Sequence, residues 1–124
     1  MKMRVQGNSI RFRLNRIEVA EFAAEGRVAT GVAFGGGSAL TYTLERSEVA
    51  TGVEAAFLNG SVVVQVPSAK AKQWTSSEDV GIHGSQAVGG GVLLEITIEK
   101  DFQCMHRGEE AKDPEAYPNP MATA

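Results

Sequence analysis

The chain has 124 residues, of which 43% are hydrophobic and 22% charged, and its net charge is −3. This length suits one domain with one core, and the composition is typical of a globular protein rather than a disordered chain. An isoelectric point of about 5.4 makes general binding to nucleic acid unexpected, and no run reaches the roughly 20 apolar residues of a membrane helix.

The first elements are two extended segments and a helix. Residues 3–6 form a short extended segment, and alternation over residues 9–14 predicts a half-buried strand. Asn15 then has the pattern of a helix N-cap, with Glu18 three residues later able to complete a capping box. The helix is predicted over residues 16–25 and ends at Gly26, because glycine readily adopts the left-handed conformation that follows a helix.

The middle of the chain alternates with period two, which is typical of strands. Residues 28–34 and 40–44 flank a triple glycine and predict an antiparallel hairpin. A second hairpin is predicted from residues 53–57 and 62–66, because Asn59-Gly60 is the sequence that a type I′ turn prefers.

Pro67 ends that strand, and Ser68 is predicted to cap a short helix that extends to Trp74. Residues 75–91 are interpreted as a polar, glycine-rich connection. The longest strand follows over residues 92–102, with Ile96 and Ile98 on the face that turns toward the core and Glu95 and Glu99 on the other.

These elements predict an α+β fold: a mainly antiparallel sheet of about six or seven strands, curled or layered, with two short helices. We find no repeat with a period of 20 to 50 residues. One domain over residues 1–106 is expected, followed by an acidic, proline-containing tail over residues 107–124. Cys104 is the only cysteine and the first residues lack a secretory signal, so we expect a cytoplasmic protein.

Asp101, Cys104 and His106 form the one cluster in the sequence that could bind a metal. A thiolate, an imidazole and a carboxylate are all zinc ligands, but structural zinc sites show paired Cys or His at short intervals, which this stretch lacks. The other interpretation makes Asp101 a turn residue, Cys104 a small buried side chain and His106 a surface residue.

Arg11 and Arg13 lie on the outward face of one strand, where they could bind an anion or a partner. A platform for single-stranded nucleic acid would also need stacking aromatic residues on that face, whereas Phe12 points to the opposite side. The other interpretation, which this lack of aromatic residues favours, makes the two arginines a solvated face or partners for carboxylates such as Glu95 and Glu99 across the sheet.

Seven short segments also carry a resemblance: MRVQGNSIRFRL, NRIEVAEF, LTYTLE, VPSAKAKQW, SEDVGI, EKDFQC and YPNP. Through them the chain resembles a family of small uncharacterised bacterial proteins that are treated as a domain of unknown function. The resemblance covers nearly the whole chain, and the segments from EKDFQC to YPNP are its most specific part. It implies one intact domain and carries no activity or ligand.

We therefore expect a non-enzymatic binding or interaction domain that acts through one face of its sheet. Its partner would be another protein, a second copy of the chain or a small ligand, and no cofactor is expected. The alternative is a metal-dependent or thiol enzyme centred on Asp101, Cys104 and His106.

Overall fold

A computed structural model describes residues 1–102, which form eight strands and two helices. The strands are β1 Lys2–Gln6, β2 Ser9–Leu14, β3 Arg27–Gly35, β4 Ser38–Ser47, β5 Glu54–Leu58, β6 Ser61–Pro67, β7 Gly81–Gly89 and β8 Val92–Lys100. The helices are α1 Arg16–Glu25 and α2 Ser68–Ser76. The predicted α+β class with two short helices is confirmed.

The strands form two sheets of four. Sheet A has the order β1-β2-β8-β7 and sheet B the order β3-β4-β6-β5. The hairpin partners are antiparallel, but β2 runs parallel to β8 and β4 runs parallel to β6. The prediction of one mainly antiparallel sheet with about six or seven strands is therefore corrected: there are two sheets, and both are mixed, because in each of them two antiparallel hairpins are joined through a parallel pair of strands.

Helix α1 has the predicted boundaries and caps. The Glu18 backbone N–H donates to Asn15 Oδ1 at 2.9 Å, and the Asn15 backbone N–H donates to Glu18 Oε1 at the same distance. Gly26 follows with a φ of 75°, and its N–H donates to the Phe22 carbonyl. All of these signals lie within the helix and its flanking residues, so the sequence could specify them without knowledge of the sheets.

In the second half of the chain, the predicted turn is confirmed and the predicted cap of α2 is wrong. Asn59 and Gly60 both have positive φ, as the predicted turn between β5 and β6 requires. Ser68, however, does not cap α2: the N-cap is Pro67, without a side-chain hydrogen bond, and the Ser68 hydroxyl donates to the Ser47 carbonyl instead. Within α2, Trp74 is buried in the core.

Residues 81–89 form strand β7 rather than the predicted connection. Strand β7 contains few strong strand formers, so it gives a weak local signal. The inward position at Gly84 has to be small, because a Cβ added there would lie 2.8 Å from Cβ of Val53, the residue that precedes β5. Gln86 also reaches β5, donating to the Ala55 carbonyl at 3.0 Å and accepting from the Ala55 N–H at 2.7 Å.

The two halves of the chain repeat one topology. The order β1-β2-α1-β3-β4 recurs as β5-β6-α2-β7-β8, and each half gives its first hairpin to one sheet and its second hairpin to the other. The register repeats as well: Phe12 lies opposite Ile98 in sheet A, and Val64 lies opposite Leu44 in sheet B. Equivalent positions are 52 residues apart up to the helices and 54 apart after them, just beyond the range of periods considered above.

The core lies where the two halves meet. Phe22 and Trp74, which are equivalent residues of α1 and α2, pack edge to face with ring centroids 6.2 Å apart. Arg46 near the end of β4 and Lys100 at the end of β8 are also equivalent, and both make a hydrogen bond at the end of a helix. Arg46 donates to the Ala23 carbonyl and Lys100 donates to the Ser77 carbonyl. Neither helix within residues 1–102 is long and apolar enough to cross a membrane.

Candidate functional site

The outer face of sheet A carries most of the charge that the strands present to solvent. Side chains alternate along a strand, so Lys2 and Arg4 of β1 and Arg11 and Arg13 of β2 point away from the core. We call these four residues the cationic block. Its neighbours on β8 are Glu95, Thr97 and Glu99, and those on β7 include His83 and Ser85.

The block is only partly neutralised within the sheet. Glu99 Oε1 lies 2.7 Å from Arg13 Nε and 3.8 Å from Arg11 Nε, so one carboxylate serves two guanidinium groups. Lys2 Nζ lies 2.9 Å from Asp101 Oδ2. Arg4 has no carboxylate partner within residues 1–102. Four positive side chains thus share two carboxylates, which leaves an excess of two positive charges.

The register of β1 and β2 places like charges directly opposite each other. Arg4 faces Arg11, and Lys2 faces Arg13. Opposed like charges destabilise an antiparallel pair, whereas an anion lying between them would relieve the repulsion. The block therefore has the charge arrangement of an anion-binding surface.

The equivalent face of sheet B shows that the fold does not require these charges. The positions equivalent to Lys2, Arg4, Arg11 and Arg13 are Glu54, Ala56, Val63 and Gln65. Both sheets have the same strand order and register, yet sheet B has no positive side chain at any of the four positions. The positive charge is thus a property of one half of the duplicated architecture.

A second polar group lies beside the block, at β7 and β8. His83 Nε2 is 3.1 Å from Glu95 Oε2, and His83 Nδ1 is 3.2 Å from Thr97 Oγ1. The Ser85 hydroxyl donates to the same Glu95 oxygen at 2.5 Å. The sequence did not predict this group, because it depends on β7 being a strand. The sequence did contain one sign of it, the alternation of the polar residues His83 and Ser85, which lie opposite Thr97 and Glu95 of β8.

The predicted arginines and acids are brought together only in part. Arg11 and Arg13 do share an outward face, and their partner is Glu99, as one of the two interpretations proposed. Glu95 pairs with His83 instead. Of the three residues in the predicted metal site, Asp101 accepts a hydrogen bond from Lys2, and Cys104 and His106 lie outside the described residues. Residues 1–102 contain no group of three or more His, Cys, Asp or Glu side chains placed to hold a metal ion.

Two surface depressions are lined by residues outside the cationic block. One, of about 300 Å³, is lined by Glu54, Ala56 and Gln65 among others, and the second, of about 230 Å³, lies beside Trp74 and His83. Enzyme and cofactor sites usually enclose most of a small ligand, whereas both depressions are open to solvent.

Comparison with known proteins gives one match. The model of DUF7009, a family of unknown function, matches residues 1–121. No curated protein and no solved structure matches the chain.

Proposed function

We propose that this chain, which belongs to DUF7009, is a non-enzymatic binding domain that holds an acidic segment of a protein partner against the outer face of sheet A. The observation that supports it is the cationic block itself. Its four positive side chains share two carboxylates, and the equivalent positions of sheet B are neutral or acidic.

Stability alone is a weak explanation for the block. Exposed ion pairs contribute only about 0 to 1 kcal/mol to folding, and the side chains of Arg11 and Arg13 are 41% and 44% exposed to solvent. The opposed pairs Arg4–Arg11 and Lys2–Arg13 work against the sheet. These charges bring little stability, and the equivalent face of sheet B has neutral or acidic residues in their place. Binding of a partner explains such a surface better than stability does.

The spacing of the block suits an extended acidic segment. Alternate residues of a strand are about 6.8 Å apart, so Arg11 and Arg13 match carboxylates on alternate residues of an extended peptide. Nucleic acid is the less suitable anion, because the four strands of sheet A contribute no Phe, Tyr or Trp to this face for base stacking. The long side chains of arginine also form bidentate contacts with carboxylates.

Binding of a fluorescent oligoglutamate peptide tests the proposal. Fluorescence anisotropy at several salt concentrations should show binding that weakens as salt rises. Arg4→Ala and Arg11→Ala should each weaken binding by about 3- to 10-fold, or about 0.7 to 1.4 kcal/mol, which corresponds to the loss of one solvent-exposed hydrogen-bonded contact. Lys72→Ala removes one positive charge from the exposed side of α2 and should leave the affinity unchanged.

Two results would contradict the proposal. Equal losses in Arg4→Ala, Arg11→Ala and Lys72→Ala would mean that the peptide responds only to net charge. Tighter binding of a single-stranded RNA with the same number of charges would mean that the partner is a nucleic acid rather than a protein.

A further inference from the structure

We infer that strand β3 pairs edge to edge with β3 of a second copy of this chain, joining two copies of sheet B into one continuous sheet. The inference concerns a different surface from the cationic block and does not depend on the proposed function. It rests on which of the four edge strands of the two sheets are protected from pairing with another strand. These edge strands are β1, β7, β3 and β5.

Three of these edges are protected in ways that are common in natural proteins. Strand β1 carries Lys2 and Arg4. Strands β5 and β7 face each other, and the Gln86 side chain makes two hydrogen bonds with the backbone of Ala55. That contact occupies backbone groups of β5 that would otherwise remain available to another strand.

Within residues 1–102, strand β3 is covered by no side-chain contact of this kind, and its one irregularity lies near its end, between Ala33 and Gly35. The position equivalent to Gln86 is Val32, whose side chain cannot make these hydrogen bonds, and no hydrogen bond joins β3 to β1. After Arg27 the strand contains no charged residue and no proline. Val32 and Phe34 are 45% and 69% exposed. A long, uncharged edge with exposed apolar side chains is the type of edge that accepts another strand.

The residues of β3 favour a second copy over a foreign peptide. Peptides added to a sheet edge are selected through pockets for alternate side chains, but after Arg27 the outer face of β3 presents the small residues Ala29, Gly31 and Ala33. The same stretch fits itself about a two-fold axis through Gly31. Ala29 then lies opposite Ala33 of the second copy.

The size of this contact indicates a weak dimer. A nine-residue strand is about 30 Å long, so the paired edges and the two Phe34 rings bury on the order of 1,000 Å² in total, near the lower limit for specific interfaces. Dimerisation should therefore depend on protein concentration in the micromolar range. Sedimentation velocity of the full chain over a dilution series measures this directly.

A matched pair of variants places the interface. Phe34→Lys adds a charge to the β3 edge, and Val88→Lys adds the same charge at the equivalent, also exposed, position of β7. We expect Phe34→Lys to raise the dimer dissociation constant at least 10-fold and Val88→Lys to leave it unchanged. Equal effects of the two variants, or a wild-type chain that remains monomeric up to about 1 mM, would overturn the inference.

Crosslinking tests the register independently of affinity. In a Cys104→Ser background, Ala29→Cys and Ala33→Cys chains are mixed under mild oxidation. Directly opposed residues of antiparallel strands have Cα atoms about 4.5 to 5.5 Å apart, which a disulfide can span. The mixture should give a covalent dimer, whereas each variant alone should give far less. Equal crosslinking by the single variants and the mixture would contradict pairing about Gly31.

Discussion

Glu99 determines how much positive charge Arg11 and Arg13 present to solvent. Its Oε1 atom is 2.7 Å from Arg13 Nε and 3.8 Å from Arg11 Nε, and no other carboxylate within residues 1–102 pairs with either arginine. Glu99 therefore competes with any anion that binds the cationic block. This competition distinguishes a binding surface from a set of charges that only stabilises the sheet.

Glu99→Gln should strengthen binding of the oligoglutamate peptide by about 2- to 5-fold, because it removes a partly screened negative charge next to two arginines. Glu45→Gln is the matched control: Glu45 is the equivalent residue of sheet B, and its Oε1 accepts from Gln65 Nε2 at 2.8 Å. Anisotropy titrations of both variants provide the measurement. Weaker binding in Glu99→Gln would show that the carboxylate supports the site rather than competing with it.

Single residues could be placed from the sequence where alternation alone determines their direction. Arg11 and Arg13 are on the outer face because Phe12 and Leu14 are buried between and beyond them. The contact between His83 and Glu95 could not be found in the same way. It depends on which strand lies beside β8, and the sequence around His83 contains little that identifies a strand.

Strand β8 links the two halves at the level of secondary-structure elements, since it pairs with β7 on one side and β2 on the other. Ile96 is 1% exposed and packs in the core, whereas Val92 points to the same face but is 45% exposed near the hairpin turn. The predicted inward face is thus correct, and burial along it increases from the start of the strand to its middle.

Ile96→Ala should lower the free energy of unfolding by about 2 to 5 kcal/mol, because the lost methyl and methylene groups leave a cavity in a packed core. Val92→Ala should cost under about 1 kcal/mol, since solvent already reaches that side chain. Urea unfolding followed by Trp74 fluorescence compares the two. A loss below 1 kcal/mol for Ile96→Ala would contradict the assignment of this face to the core.

The elements that the sequence predicted well are those determined by neighbours in the chain, such as the caps of α1 and the Asn59-Gly60 turn. Strand β7 was missed because it contains few strong strand formers, and the parallel pairs β2–β8 and β4–β6 were missed because they join strands that are not consecutive in the chain. One long-range signal was present: a triple glycine followed by TLER at residues 43–46 recurs 54 residues later as a triple glycine followed by TIEK. This pattern indicates the duplication.

At the scale of the whole molecule, the duplication means that neither half can complete a sheet. Sheet A needs β1 and β2 from the first half and β7 and β8 from the second, and sheet B needs the complementary hairpins. The edge-to-face contact between Phe22 and Trp74 also joins one helix from each half. The buried surface that stabilises the fold is therefore shared between the halves rather than divided into two independent cores.

Two fragments, residues 1–50 and 51–124, should therefore be unfolded alone and regain the native structure when mixed. The cut lies in the segment between β4 and β5, so it interrupts no strand or helix. Circular dichroism and the fluorescence of Trp74 would follow the recovery. An isolated half has two hairpins whose partner strands are missing, and a lone hairpin is only marginally stable in water. A cooperative unfolding transition in either fragment as a monomer would show that one half contains a core of its own.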